Sequence, residues 1–288
     1  MTTEYAAPTD KRHSRRPLET DRVPVLPPGV PYLLQALQDD NLDYRQIAAA
    51  IEKVPSVAAR LLALANSAWS SPASPIMSLD AACSRLGLRV VRTASIALAV
   101  SQPFNPARCP QFEGTTFWSS ALLNAEAASS LAEHVIRDQL SAARTAGLLS
   151  NLGLVWLAES LPSQTGSAIE IATRAQPGAL NVALVDRCGI GYDEAGALLA
   201  AAWNLPADLR DAIAHQFRPL EDAKPLAQVV SAATRMVGVV RRDLAWETAD
   251  EQLIELGLPM PQQQQVFERL TTSKARTTEL AETLFGIH

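Results

Sequence analysis

Four histidines and three cysteines are the side chains best suited to metal or nucleophilic chemistry in this chain, and their placement favours neither. His13 and His288 stand near the termini, which leaves His134 and His215 in helical settings. A catalytic metal needs three or more ligands converging on one point, mostly imidazoles and carboxylates. Two isolated histidines do not meet that need. His134, beside Glu133 and Arg137, reads as a helix-end residue facing carbonyls, and His215, before Gln216-Phe217-Arg218-Pro219, reads as another. Cys83, Cys109 and Cys188 are odd in number and far apart, so neither a disulfide framework nor a CxxC knuckle is expected; reduced thiols of a cytoplasmic protein are. The stretch Gly189-Ile190-Gly191 begins like a dinucleotide loop, but its third glycine falls at Gly196, two residues late for GxGxxG, and no strand precedes it. GxSxG, Walker and HExxH patterns are absent from the sequence.

The elements that would position such residues are helices. Ile47, Ile51 and Val54 recur on one helical face, as do Val57, Leu61 and Leu64, then Leu149, Leu152 and Trp156, and most plainly Leu226, Val229, Val230, Ala233, Met236, Val237 and Val240. Asn41 or Asp43 is placed to cap a helix that stops before Pro55, Ser56 to cap the next, and Ser78 to cap one that ends at Gly87. Further helices are expected at Leu88 to Ser101, from Thr115, and over Ala142 to Ser160. The last, 262–285, is rich in glutamine, polar on most faces and expected to dock loosely. Many of the 19 prolines fall between apolar segments, where a missing N–H costs little.

With 288 residues, 48% of them apolar, the chain can bury a sizeable core as one large domain or two packed lobes. The proline-rich loop 103–114 is the best internal boundary. It divides an expected arm of 1–26 and an N-terminal helical lobe of 27–113 from a second helical core at 114–220, completed by helices in 221–288. The arm carries Lys11, Arg12, Arg15, Arg16 and Arg22, which leaves 20 basic and 26 acidic residues on the body. A body of about −6 repels phosphate backbones, which makes nucleic acid an unexpected partner. The apolar stretches around Ile96 and Leu152 are interrupted before bilayer-spanning length, so no membrane insertion is expected.

Several segments carry a family resemblance in order. The run Leu61-Leu62-Ala63-Leu64-Ala65-Asn66-Ser67-Ala68-Trp69, then Ser78 to Ala82 and Leu86 to Arg89, resembles the N-terminal half of HDOD domains. Phe117 to Ser120, Ala146 to Gly153, and Gly196 through Trp203-Asn204-Leu205-Pro206 to His215 continue the likeness, which covers roughly residues 27 to 285. The resemblance implies an all-α, multi-helix fold with an N-terminal lobe packed on a core like that of the HD and HD-GYP phosphohydrolases. Those relatives hold divalent metals through a histidine on one helix and a histidine-aspartate pair on another. The matching positions here are Ser120 and the pair Ser150-Asn151, with Leu154 where HD enzymes often carry lysine. Neutral hydroxyls and an amide bring neither negative charge nor imidazole, so water activation by a metal loses its anchor.

By that resemblance the chain is expected to be a bacterial signalling module that acts through protein contacts, without catalysis, metal or cofactor. Its expected partners are signalling proteins, including those of cyclic-di-GMP systems. The alternative is a nucleotide or cyclic-dinucleotide binder, or weak phosphohydrolase, that uses the degenerate pocket with His215 and phosphate contacts from Arg144 or Arg218. Ser120, Ser150 and Asn151 can also simply hydrogen-bond across buried helix contacts. Asn66 and Ser67, in the family-hallmark run, are expected either to close a helix end or to face a partner.

Overall fold

Caps and prolines set where the helices begin, as the spacing suggested. A computed structural model describes residues 23–175, 179–217, 223–246 and 257–286. The Lys11–Arg16 run, His13, Arg218 and His288 lie outside the described residues. In chain order the helices are α1 (Val30–Ala36), α2 (Tyr44–Glu52), α3 (Pro55–Ala65), α4 (Leu79–Leu86), α5 (Leu88–Ser101), α6 (Gly114–Val135) and α7 (Leu140–Leu149). There follow α8 (Leu152–Ser160), α9 (Pro162–Thr173), α10 (Ala179–Cys188), α11 (Tyr192–Ala202), α12 (Ala207–Ala214), α13 (Pro225–Arg241) and α14 (Met260–Phe285). The described residues include no β-strand, and none of their helices is long and apolar enough to cross a membrane.

Asp43 accepts from the Gln46 backbone N–H while the Gln46 side chain accepts from that of Asp43, a reciprocal cap that starts α2. Ser78 caps α4 by accepting from Ala81 N at 3.2 Å. Ser56, expected to cap α3, does not: Pro55 opens the helix after Val54, and the Ser56 hydroxyl reaches Gln102 at the end of α5. Gly87, at φ 82°, ends α4 and starts α5 in a conformation that a Cβ would strain.

Helix α6 is the axis of the molecule. At 22 residues it is buried on almost every face, and α7, α13 and α14 pack along it. Its flanks belong to two apolar clusters. One gathers α1–α5 with α8–α11 and the end of α14; the other joins α6 and α7 to α12, α13 and the first half of α14. Helix α14, expected to dock loosely, is instead seated along its length. Val266, Phe267, Leu270, Leu280, Ala281 and Leu284 are buried, and Trp118 stacks on Phe285 at 4.4 Å. Polar residues supply part of that seat, which is why hydrophobic patterning understated it: Ser119 pairs with Thr278 at 3.1 Å, and Ser273 donates to Glu126 at 3.0 Å.

The segment Ala142–Ser160 is two helices and not one, because the ladder breaks at Ser150-Asn151. Small residues let the helices around this break approach closely. A Cβ on Gly147 would stand 2.5 Å from the Asn124 carbonyl oxygen of α6, and one on Gly153 would overlap the Tyr192 carbonyl oxygen and lie 2.5 Å from Gly196 N of α11. Neither neighbour is a flexible side-chain end that could step aside. Gly153→Ala is therefore expected to lower the unfolding free energy by about 1–3 kcal/mol through overpacking. Gly114→Ala, which would meet nothing within 4 Å, is expected to be neutral within about 0.5 kcal/mol. Urea unfolding of the two variants, compared at equal m-value, checks the contrast.

Candidate functional site

Ser150 sits where α7 ends, and a helix end leaves backbone carbonyls without intrahelical partners. Here the end is buried, Ser150 being 0% exposed, so protein groups must satisfy them. Gln216, just past the end of α12 and also fully buried, does so: its amide nitrogen donates to the Ser150 carbonyl at 2.8 Å and to the Ile213 carbonyl at 3.0 Å. Thr234 on α13 donates to the Gln216 oxygen at 3.4 Å. One side chain thus ties α7, α12 and α13 together.

The Ser150 hydroxyl has a single proton, and the carbonyl of Gly147 takes it at 2.8 Å; the Asn151 amide oxygen at 3.4 Å is the weaker neighbour. Its lone pairs then receive Asn124 Nδ2 from α6 at 3.3 Å. Because the hydroxyl proton is already given away, flipping the Asn124 amide would set two acceptors face to face, so its Oδ1 is left as a buried atom without a partner. Leu154 packs against the larger apolar cluster.

The expected site residues are only partly brought together. Ser150 and Asn151 adjoin each other, but the α6 residue that reaches them is Asn124 and not Ser120. Ser120 lies one turn earlier, half-buried, and its hydroxyl donates to its own helix at Thr116 O, 2.8 Å away. His215 ends α12, half-buried, its backbone N–H on Asp211 O at 3.0 Å. Its neighbour Gln216, not the histidine, makes the buried contacts. Arg144 points elsewhere, into a separate cavity on the other flank of α7. Gln216 and Asn124 were missed because neither stands at a position where metal-binding relatives would carry a ligand. The sequence offered no distinct signal for either amide.

This donor set does not fit a divalent cation. Its oxygens are neutral, and the carbonyl and hydroxyl groups nearest the pair are committed to one another. Among the described residues no three histidine, cysteine, aspartate or glutamate side chains gather in metal-binding fashion. His134 is exposed on the last turn of α6. The cysteines are buried and form no disulfide; burial raises all three thiols, Cys83 to about 11 with Asp80 adding to the effect, which opposes formation of the nucleophilic thiolate. An open groove of about 670 Å³ between residues 23–26, α1 and the α11–α12 turn carries no charged side chain.

The hallmark residues close a loop. Asn66 donates from Nδ2 to Leu62 O and Ile76 O and accepts from Ile76 N at 2.8 Å, while the Ser67 hydroxyl donates to Leu64 O. Arg85 then clasps the carbonyls of Ser70 and Ser71 at 2.5 and 2.9 Å. Between these two clamps the chain turns back and leaves Met77 90% exposed.

Unequal costs are expected from the two amides beside Ser150. Gln216→Leu strands two buried carbonyls, each worth about 1–3 kcal/mol when unpaired, and is expected to lower stability by about 2–4 kcal/mol. Asn124→Leu gives up one long bond and also removes an unpaired oxygen, so its expected cost is under about 1.5 kcal/mol. Denaturant midpoints of both variants check the order.

Comparison with known proteins agrees with this architecture. The chain aligns at 27% identity over 239 residues with an uncharacterized protein of Treponema pallidum (strain Nichols), a match spanning 81% of this chain and 45% of that one. Among solved structures, a candidate signal transduction protein of Marinobacter aquaeolei VT8 superposes with a TM-score of 0.77 at 24% identity, over 91% of this chain and 60% of the other. A candidate phosphohydrolase of Shewanella amazonensis SB2B gives 0.70 at 23% identity, over 92% and 96% of the two chains. An HDOD domain protein of unknown function from Geobacter sulfurreducens gives 0.69 at 21%, over 93% and 95%. This chain thus spans less than two thirds of the Treponema and Marinobacter proteins. At these identities the structural likenesses speak to the fold. The model of the HDOD domain matches residues 23–219, more than half of the sequence, and the chain belongs to that family.

Proposed function

We propose that the chain is a non-catalytic regulatory module of bacterial signal transduction that acts by protein contact. The observation that carries this reading is the commitment of Ser150: its carbonyl, hydroxyl oxygen and hydroxyl proton all serve helix-to-helix hydrogen bonds or the end of its own helix. A serine used to hold α6, α7 and α12 together has little capacity left for a metal or a water nucleophile. The designation of the Marinobacter relative as a candidate signal transduction protein accords with this role.

The clamped loop between Asn66 and Met77 supports the protein-contact part. A partner surface gains affinity when it is ordered before binding, since less freedom is lost on association. The side-chain clamps on residues 70, 71 and 76 provide that order, and Met77 supplies a polarizable, adaptable apolar contact. Asn66 and Ser67 act here by shaping the surface from behind. Partners from cyclic-di-GMP systems fit the same role. Nucleotide binding or hydrolysis at the degenerate pocket is the weaker reading, because Arg144 lines a different cavity and the α12-end residue bonded to Ser150 is Gln216 and not His215.

Purified full-length protein is expected to turn over neither bis-p-nitrophenyl phosphate nor cyclic-di-GMP in the presence of magnesium or manganese, and to hold metal well below one equivalent. Turnover with stoichiometric metal that disappears in His215→Ala would contradict the proposal. In capture from the native cell, Met77→Glu is expected to lose about tenfold or more of the main partner, roughly 1.4 kcal/mol of binding. Unchanged capture by a folded Met77→Glu protein would remove the loop from the contact.

A further inference from the structure

A second, open cavity of about 200 Å³ lies on the other flank of α7, lined by residues of α5, α6, α7, α14 and Trp69 of the hallmark run. Its charged lining is unusual for an acidic protein. Arg89 enters from the first turn of α5, Arg144 from α7 and Arg276 from α14, against the carboxyl group of Glu126 on α6. The rest of the wall includes apolar Val90, Leu122, Ala125 and Leu280.

Arg144 is under-compensated. Its side chain is 13% exposed, its nearest carboxylate is Asp40 with Nη1 to Oδ1 at 3.6 Å, and its Nε is buried without an acceptor. A buried guanidinium of this kind normally has its donors paired. Burial lowers its pKa, with Asp40 opposing and Arg89 and Arg92 reinforcing the shift. Neither neighbouring arginine supplies an acceptor. Arg92 is spent on Leu37 O and Leu42 O, while Arg89 meets Glu133 only at 3.9 Å.

The one carboxyl group in the wall is already engaged: Glu126 accepts from the Ser273 hydroxyl at 3.0 Å. Burial raises its pKa, with the Ser273 hydrogen bond and Arg89 and Arg269 opposing. Trp69 is fixed in place by its own bond to Arg276 O at 3.1 Å and by the Arg276 guanidinium 4.7 Å over its ring.

From the unpaired Arg144 Nε, the arginines around it and the apolar wall opposite, we infer that this cavity binds a small amphipathic organic anion, a phosphomonoester or carboxylate with an apolar or aromatic body. The anionic group is held by Arg144 and Arg89; the body lies against Trp69 and Leu122. Pockets for drug-sized ligands measure about 300–1,000 Å³, so a cavity of about 200 Å³ suits a smaller molecule. The site is separate from the Ser150 network and does not depend on which protein the domain contacts. Because α14 forms one wall and α5 and α7 the other, an occupant links the terminal helix to the rest of the fold.

Calorimetric titration of the full chain with phenyl phosphate, benzoate and inorganic phosphate at low ionic strength tests the site. Saturable binding of phenyl phosphate or benzoate is expected, and whichever binds identifies the anionic group. Inorganic phosphate, which lacks the apolar body, is expected to bind at least about tenfold more weakly. Arg144→Gln and the more exposed Arg89→Gln are each expected to weaken binding of the aromatic anion by about tenfold or more, with Lys224→Gln, outside the cavity, as the unchanged control. Thermal unfolding verifies that each variant is folded, and Arg89→Gln carries the test if Arg144→Gln is not. The inference is overturned if neither aromatic anion binds in the millimolar range, if inorganic phosphate binds as tightly, or if the folded arginine variants bind as wild type does.

Discussion

The structure turns on a helix that ends in the wrong place for a polar backbone. Between Leu149 and Leu152 the chain breaks from α7 into α8 with Ser150 fully buried and Asn151 half-buried, and the Ser150 carbonyl left by that break needs a donor from elsewhere in the protein. Gln216 answers for Ser150 and Ile213 together, and Thr234 orients it from α13. The arrangement works only at close range. Gly147 against the Asn124 carbonyl and Gly153 against Gly196 provide that approach, since a Cβ at either place would collide with backbone. The two apolar clusters are thereby joined across a polar seam built from neutral groups.

Much of this was legible in the sequence for identifiable reasons. The period of Leu226 to Val240 sets α13, Asp43 and Ser78 start α2 and α4, and prolines at 55, 162 and 225 stand in the first turns of α3, α9 and α13. Where patterning failed, polar residues had been drawn inside. The seat of α14 uses Thr277, Thr278 and Gln263, which a hydrophobic reading scores as surface. The break within 142–160 is invisible to periodicity, because the apolar repeat runs straight through it. Family likeness located Ser150 and Asn151, but only the packing of the helices could replace Ser120 by Asn124 as the α6 contact, a shift of one helical turn along the same face.

The two flanks of α7 divide the chemistry. Toward α12 the groups are neutral and mutually committed, as at Ser150 and Gln216; toward α5 and α14 they are charged and incompletely paired, as at Arg144 and Glu126. Fold and function part company at that point. The HDOD fold is held at the first flank by helix packing, while the cavity proposed to hold a charged ligand lies at the other. The clamped loop of Asn66 and Arg85 adds a third, external feature, fixed by the same device of side chains satisfying backbone carbonyls.

The central claim is that the Ser150-Asn151 position is a closed structural joint and not a vacant metal site. Its most direct test is a manganese titration followed through the side-chain amide resonances of Asn124, Asn151 and Gln216, because a paramagnetic ion broadens nearby nuclei strongly. The account predicts that Gln216 keeps two distinct, slowly exchanging amide protons and that all three side chains stay sharp as manganese passes stoichiometry. Selective broadening of Asn151 and Gln216 at about one equivalent would place a cation at the joint and contradict it.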